Sequence, residues 1–397
     1  MESQTPLQAL NPFMPGAGLQ PPALVGRTGE LELMDRMAAR TKLRLLNRGI
    51  MLYGLRGIGK TVLLLRMRSI AEQRHMATIK IEASADAGKT YDALFREIPM
   101  SIARIGKPDL REKVGGVFSH VESISFDFMG VKAGADFKGK ESFRTESYRL
   151  QLLIEGICRE LRKADSGLYL FVDELQEMND GPLGDLITIQ HEMGQQNLPF
   201  YIIGAGLPDL PGVLAKSRSY AERLFEYREI DKLDDISTRK GFQEPARNSG
   251  RPFSDDSLSQ LVDLSQGYPY FIQAYGAATW NASDSNPIGE DAVAKGKSEA
   301  LRMLDHGLYM SRWQKATEAG RMYLRIMADL SDGPVRTADV ARRFRSRGSA
   351  ASARASLIAD GLIYSAGYGQ VAFSVPRMAE FVRRVMPEVE QPYDGRR

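Results

Sequence analysis

Gly54-Leu55-Arg56-Gly57-Ile58-Gly59-Lys60-Thr61 decides the reading of this chain, because it meets the phosphate-loop pattern G-x-x-x-x-G-K-[ST] at every specified position. An apolar run, Ile50-Met51-Leu52-Tyr53, precedes it, and another, Val62-Leu63-Leu64-Leu65, follows. That is the strand–loop–helix setting in which the pattern carries meaning. Glycines let backbone N–H groups turn inward around a phosphate, and the helix that follows adds its positive N-terminal end. Lys60 is expected to reach the β- and γ-phosphates, and the Thr61 hydroxyl to take one Mg²⁺ position. The eight loop residues and Val62 are therefore the expected nucleotide contacts.

A second signal lies downstream. Leu168-Tyr169-Leu170-Phe171-Val172-Asp173-Glu174 is an apolar run ending in two carboxylates, with Asp165-Ser166-Gly167 before it as a turn. Its length and boundaries predict a buried parallel strand. Ligands of open α/β sheets gather at the carboxyl ends of strands, where Asp173 and Glu174 fall. Asp173 suits the Mg²⁺ shell, and Glu174 suits polarising an attacking water. On its own such a strand end is more often ordinary solvent-facing chain. Joined to a complete phosphate loop, it predicts a nucleotide site in which Lys60, Asp173 and Glu174 do the chemistry.

Composition sets the limits. The 397 residues are enough for two or three domains. The 43% hydrophobic and 26% charged contents are those of a globular protein. No apolar stretch approaches bilayer length, and the N-terminus lacks a basic flank followed by an apolar core, so a cytoplasmic chain without membrane attachment is expected. Cys158 is the single cysteine and falls on an apolar helical stripe with Leu150, Leu153, Ile154, Ile157 and Leu161, which predicts buried filler. The four histidines, at 75, 120, 191 and 306, lack ligand spacing. Net charge is only +3, yet residues 336–384 hold nine arginines against three acids, a local excess of +6.

Alternation of apolar runs with helical periods predicts an α/β core, a mostly parallel sheet covered by helices on both faces, over residues 25–230. Strands are expected near 49–53, 77–83, 168–174, 200–203 and 225–230. Residues 1–24 contain Pro6, Pro12, Pro15, Pro21 and Pro22 and are expected to be extended. Period-two alternation around Gly130 (Ile124, Phe126, Phe128, then Val131, Ala133, Ala135, Phe137) predicts a β-hairpin insertion at about 118–140. From 231 to 305 the pattern is helical, with no clear strand until about 362. Residues 306–397 read as three helices, the second capped by Thr337 and the third stopped at Gly361, then a hairpin around Gly367-Tyr368-Gly369. Three helices and a hairpin predict a winged helix-turn-helix.

With these pieces in place, the sequence resembles the AAA+ and STAND branch of P-loop ATPases, and looks closest to origin-recognition-like ATPases built from a core, a helical lid and a C-terminal winged helix. The resemblance runs from Leu24-Val25-Gly26-Arg27 to the end of the hairpin. Its carriers are Gly54–Thr61, Leu168–Glu174, Tyr201–Pro208 and Gly267-Tyr268-Pro269-Tyr270. It implies ATP and Mg²⁺ as ligands, Val25 and Arg27 against the adenine, and Pro269 in the lid facing the nucleotide. Two departures stand out. Gly204-Ala205-Gly206 occupies the place where many such enzymes set a polar γ-phosphate sensor, and no arginine occurs between Gly267 and Leu301. Slow hydrolysis, serving a conformational switch, is the resulting expectation. Arg218 and Arg223 are candidates by position for an arginine finger offered to a neighbouring copy, with pairing to Glu222 or Glu226 the plainer alternative.

Two functions remain open. An ATP-regulated protein on duplex DNA would use Arg342, Arg343, Arg345, Arg347 and Arg354, mostly for backbone contact, since the third helix offers few base-reading side chains. A STAND-type signalling ATPase would instead turn its winged helix to a protein partner or to self-association.

Overall fold

The computed structural model describes residues 7–387 except 17, 107, 118–139 and 345. The apolar runs pair into one five-stranded sheet. Its strands are β1 (Gly49–Tyr53), β2 (Ala77–Glu82), β3 (Leu168–Asp173), β4 (Phe200–Gly206) and β5 (Phe225–Glu229). Every pairing is parallel, in the order β2-β3-β4-β1-β5. One strand, β4, therefore separates the phosphate-loop strand from the acidic strand. Side chains alternate between faces along each strand. Ile50 and Leu52 of β1 join one apolar cluster, and Met51 joins the other. Burial on both faces explains why β3 reads as a continuous apolar run.

Helices cover both faces. On one lie α1 (Thr28–Lys42) and α2 (Lys60–Gln73), through Met34, Met37, Leu63 and Met67. On the other lie α3 (Ala87–Ala103), α4 (108–117), α5 (Lys140–Lys163), α6 (Asp180–Gln195) and α7 (Leu210–Ser217). The short α8 (Ala221–Leu224) leads into β5. Cys158 is fully buried on the α5 stripe, and burial pushes its thiol pKa up, which leaves it unreactive.

Beyond the sheet, α9 (Asp235–Asn248), α10 (Asp255–Ser265), α11 (Pro269–Asn281) and α12 (Glu290–Leu304) continue through a π-helical turn, Asp305–Met310, into α13 (Ser311–Lys315). Then come α14 (Glu318–Leu330), β6 (Val335–Arg336), α15 (Thr337–Ala341), α16 (Arg347–Ala359), β7 (Ile363–Gly367), β8 (Gln370–Phe373) and α17 (Met378–Val385). The last three strands form an antiparallel sheet in the order β6-β8-β7. One apolar cluster runs without a break from Phe242 and Trp280 to Phe373 and Phe381. The helical region and the C-terminal region thus share a core.

Several expectations are corrected. Strand β6 sits where none was expected before about 362, and α7 was not anticipated. The Gly204-Ala205-Gly206 segment belongs to β4 rather than following it. Thr337 is the first residue of α15 and not its cap; its hydroxyl donates to the Gly369 carbonyl at 3.1 Å. The N-terminal segment opens with a 3-10 turn, Leu7–Leu10, so it is not extended throughout. The hairpin insertion expected at 118–140 lies outside the described residues apart from residue 140, which opens α5. Among the described residues, no helix is long and apolar enough to cross a membrane.

Candidate nucleotide-binding site

The sequence Gly57-Ile58-Gly59 turns sharply after β1 because two of its residues adopt positive φ. Gly59 is at +92° and stands as the N-cap of α2, a conformation that disfavours any side chain. No side chain caps the first turn of this 14-residue helix. Its N–H groups and dipole are left to face a cavity at the carboxyl edge of the sheet. That cavity, approximately 260 Å³, is lined by all of Gly57–Val62 together with Arg56, Asp173 and Glu174. Val25, Arg27 and Pro269, expected from the resemblance, line it too. Gly54 and Leu55 sit just behind, contributing carbonyls.

Lys60 is 8% exposed, and its Nζ donates to the Gly54 and Leu55 carbonyls, both at 2.8 Å. Burial pulls its pKa down to about 8, with Glu174 and Asp173 pulling the other way and Arg56 adding to the depression. At pH 7 the ammonium is charged and folded back on its own loop. Phosphate oxygens would replace those carbonyls and raise the pKa again. Binding a triphosphate above pH 8 therefore takes up a proton, so affinity weakens as pH rises. We expect the dissociation constant for ATP to be nearly flat from pH 6.5 to 7.5 and to rise by up to about tenfold per unit above 8. Isothermal titration in buffers of different ionisation enthalpy measures both quantities. A constant affinity to pH 9.5 would remove Lys60 as a phosphate ligand.

The acidic strand end has its own geometry. Asp173 Oδ1 accepts from the Glu174 N–H at 3.0 Å. Glu174 takes a left-handed backbone (φ 50°, ψ 41°) that swings its side chain toward the phosphate loop. There Glu174 Oε1 accepts from Arg56 Nη1 at 2.7 Å, and Oε2 accepts from Gln176 Nε2 at 2.7 Å. Gln176 also accepts from the Leu207 N–H at 3.0 Å. A Cβ on Gly206 would lie 2.6 Å from Gln176 Oε1. The glycine at this end of β4 thus makes room for an amide that ties Glu174 to the strand tip. Gln176 was missed in the sequence.

The fit to Mg²⁺ follows from the donors. Thr61 offers a hydroxyl and Asp173 a carboxylate, both hard oxygen ligands. Among the described residues, no cluster of three or more His, Cys, Asp or Glu could hold a metal. A Mg²⁺ here would take its remaining ligands from phosphate oxygens and water.

Three neighbours complete the walls. Arg27 is 9% exposed, and its Nη2 donates to the Asp231 carbonyl at 2.6 Å and the Ile58 carbonyl at 3.4 Å, bracing the loop. From α11, the Tyr270 N–H donates to the Gly57 carbonyl at 3.3 Å, which brings Pro269 against the loop. From α13, Arg312 reaches the cavity, its Nη1 donating to the Leu308 carbonyl at 2.6 Å. Burial, then the like charge of Arg56, lower its pKa. It lies beyond the interval, Gly267 to Leu301, that contains no arginine. The N-terminal segment was missed as a wall as well. Phe13 is buried in the helical core beside Phe242 and Phe253, and Asn11 Nδ2 donates to the Ala277 carbonyl at 3.1 Å. From that anchor the chain crosses to α2, where a Cβ on Gly18 would come within 3.6 Å of Thr61 Cγ2.

The remaining candidates lie apart from the cavity. Arg218 is engaged within its own domain, Nε donating to Thr188 Oγ1 at 3.3 Å and Nη1 to the Ser217 carbonyl at 2.9 Å. Its expected partner Glu226 pairs with Arg48 and Arg228. Arg223 is exposed. Arg342, Arg343 and Arg347 are exposed around the α15–α16 junction, Arg342 pairing with Asp339. Arg354 is half-buried, with its Nε shut away from any hydrogen-bond partner. Arg345 lies outside the described residues.

A model of the AAA ATPase domain family matches residues 23–202, and a model of a domain of unknown function matches residues 306–382. No curated protein matches the chain. Among solved structures, a Walker-type ATPase of Pyrococcus abyssi is similar at 13% identity, with 94% of this chain and 99% of that one covered and a TM-score of 0.56. The Orc1 protein of Aeropyrum pernix, solved in complex with DNA, is 16% identical, with 92% and 94% covered and a TM-score of 0.47. The RuvB Holliday junction branch migration motor of Thermotoga maritima is 16% identical, with 94% and 99% covered and a TM-score of 0.46. At such identities the likeness is one of fold.

Proposed function

We propose that this chain, whose residues 23–202 match a model of the AAA ATPase domain family, binds ATP with Mg²⁺, hydrolyses it slowly, and uses the nucleotide state as a conformational switch. One observation carries the reading: Lys60 and Thr61 from the start of α2, and Asp173 and Glu174 from the end of β3, line a single cavity closed by α11 and α13. In that cavity Lys60 and the first turn of α2 hold the β- and γ-phosphates. Thr61 and Asp173 would hold Mg²⁺, which when bound would supply charge neutralisation for the phosphates. Glu174 orients a water and accepts its proton as the water oxygen bonds to the γ-phosphorus. The bond from that phosphorus to the β–γ bridging oxygen breaks, and ADP leaves with the electron pair. Arg312 and Lys60 offset the charge that develops.

For the output of the switch we favour duplex DNA, bound through a C-terminal winged helix-turn-helix. Exposed Arg342, Arg343 and Arg347 support it, as does the fully exposed Tyr368 at the tip of the β7–β8 turn. A specific observation favours the second reading, a STAND-type relay to a protein partner. The C-terminal region touches the phosphate loop itself just past β8, the Arg56 N–H donating to the Ser374 carbonyl at 2.8 Å. An anisotropy titration of duplex DNA with ATP, ADP and no nucleotide separates the two. DNA affinity that depends on ATP and falls steeply with salt is the expected result. No binding at low salt would reject DNA in favour of the protein relay.

A further inference from the structure

Resting on the ATPase reading of this site, we propose that Arg56 is a positioning residue that latches Glu174, held in place by the C-terminal region, so that hydrolysis waits for that region to move. Arg56 occupies a variable position of the phosphate loop, where the pattern demands nothing. Its guanidinium nonetheless has more partners than any other side chain of the loop. Nη1 donates to Glu174 Oε1 at 2.7 Å, Nη2 to Glu177 Oε1 at 3.2 Å, and Nε to the Gly361 carbonyl at 3.4 Å. The Arg56 N–H donates to the Ser374 carbonyl at 2.8 Å. With only 15% of its side chain exposed, against 27% for Glu174, the pair is sheltered from solvent screening.

The two carbonyl acceptors form one unit. Ser374 is fully buried, and its hydroxyl contacts the Gly361 carbonyl at 2.6 Å and the Leu362 carbonyl at 3.0 Å. Gly361 takes φ +64° at the end of α16, and a Cβ there would lie 2.5 Å from Arg56 Nη2. The end of α16 and the end of β8 thus form a seat shaped to the guanidinium. Glu174, meanwhile, has both oxygens engaged, one by Arg56 and the other by Gln176. Each donor takes one lone pair and together they fix the orientation of the carboxylate, so Arg56 and Gln176 set which water Glu174 can reach. Any displacement of the C-terminal region removes the seat, frees Arg56 and uncovers the carboxylate. Hydrolysis is thereby coupled to the position of the region that would engage the partner.

The test is steady-state ATP turnover by the full-length chain, with ATP binding measured alongside, for wild type, Arg56→Ala and Gly361→Asn. Asparagine tolerates positive φ, so the second variant displaces Arg56 by its Cβ while leaving the phosphate loop unaltered. The expected result is a rise in kcat of about tenfold in both, the scale that one charge-assisted pair can hold back, with KM changed less than threefold. Should Arg56→Ala fail to fold, Gly361→Asn alone decides. Unchanged or lowered kcat in the folded variants would overturn the latch, and a large fall would place Arg56 on the phosphates instead. Failure of the wild type to bind ATP would sink the ATPase reading itself, an outcome distinct from either.

Discussion

Replacing Lys60 with alanine lowers ATP affinity about a hundredfold and leaves the protein folded. The ammonium carries the single positive charge inside the loop that the pattern requires, and a charge-assisted contact of this kind is worth about 1.5–3 kcal/mol, more where water is excluded. Two phosphates share it, so the effect falls at or beyond the upper end. Folding is spared because a lysine whose pKa has dropped to about 8 is destabilising as a buried charge. The sign follows from proton linkage. The unfolded lysine titrates near 10.5, so below pH 8 both states are charged and the full desolvation cost is present. Removing the group at pH 7 relieves that cost, and the midpoint of thermal unfolding stays level or rises slightly. Fluorescent-nucleotide titration and calorimetry read the two effects separately. Wild-type affinity in the variant would contradict the assignment.

Glu174→Gln separates binding from chemistry. The amide keeps the size and one acceptor of the carboxylate but cannot take a proton, so single-turnover hydrolysis falls about a hundredfold to a thousandfold. ATP affinity stays within a few-fold, since the phosphates are held by Lys60 and α2. Radiolabelled ATP with a rapid quench measures the rate, and filter binding the affinity. Equal rates in the two proteins would place the base elsewhere.

The parts of this site that could be read in advance are those written in one stretch of chain. The phosphate loop is a local motif, and β3 is apolar throughout because both its faces are covered, so Asp173 and Glu174 fell at a recognisable strand end. What stayed hidden depends on residues far apart in sequence. Arg56 meets Glu174 across 118 positions and Gly361 across 305. Gln176 carries no sequence signal of its own, and the glycines beside it at the end of β4 stand where a polar sensor is usual. Arg312 comes from a five-residue helix beyond the lid interval. Two elements escaped for local reasons. The two-residue β6 is too short to show a period, and Leu210-Pro211-Gly212, which opens α7, reads as a turn. In the proline-rich N-terminal segment, Phe13 gave no periodic signal that it anchors a wall of the cavity.

Competition against a fluorescent ATP analogue in the presence of Mg²⁺ measures most directly whether phosphates are gripped between Lys60–Thr61 and Asp173. ATP and ADP should displace the analogue at comparable micromolar levels, AMP should be at least about a hundredfold weaker, and Asp173→Asn should erase the benefit of adding Mg²⁺. Equal competition by AMP, or no saturable binding at millimolar nucleotide, would contradict it.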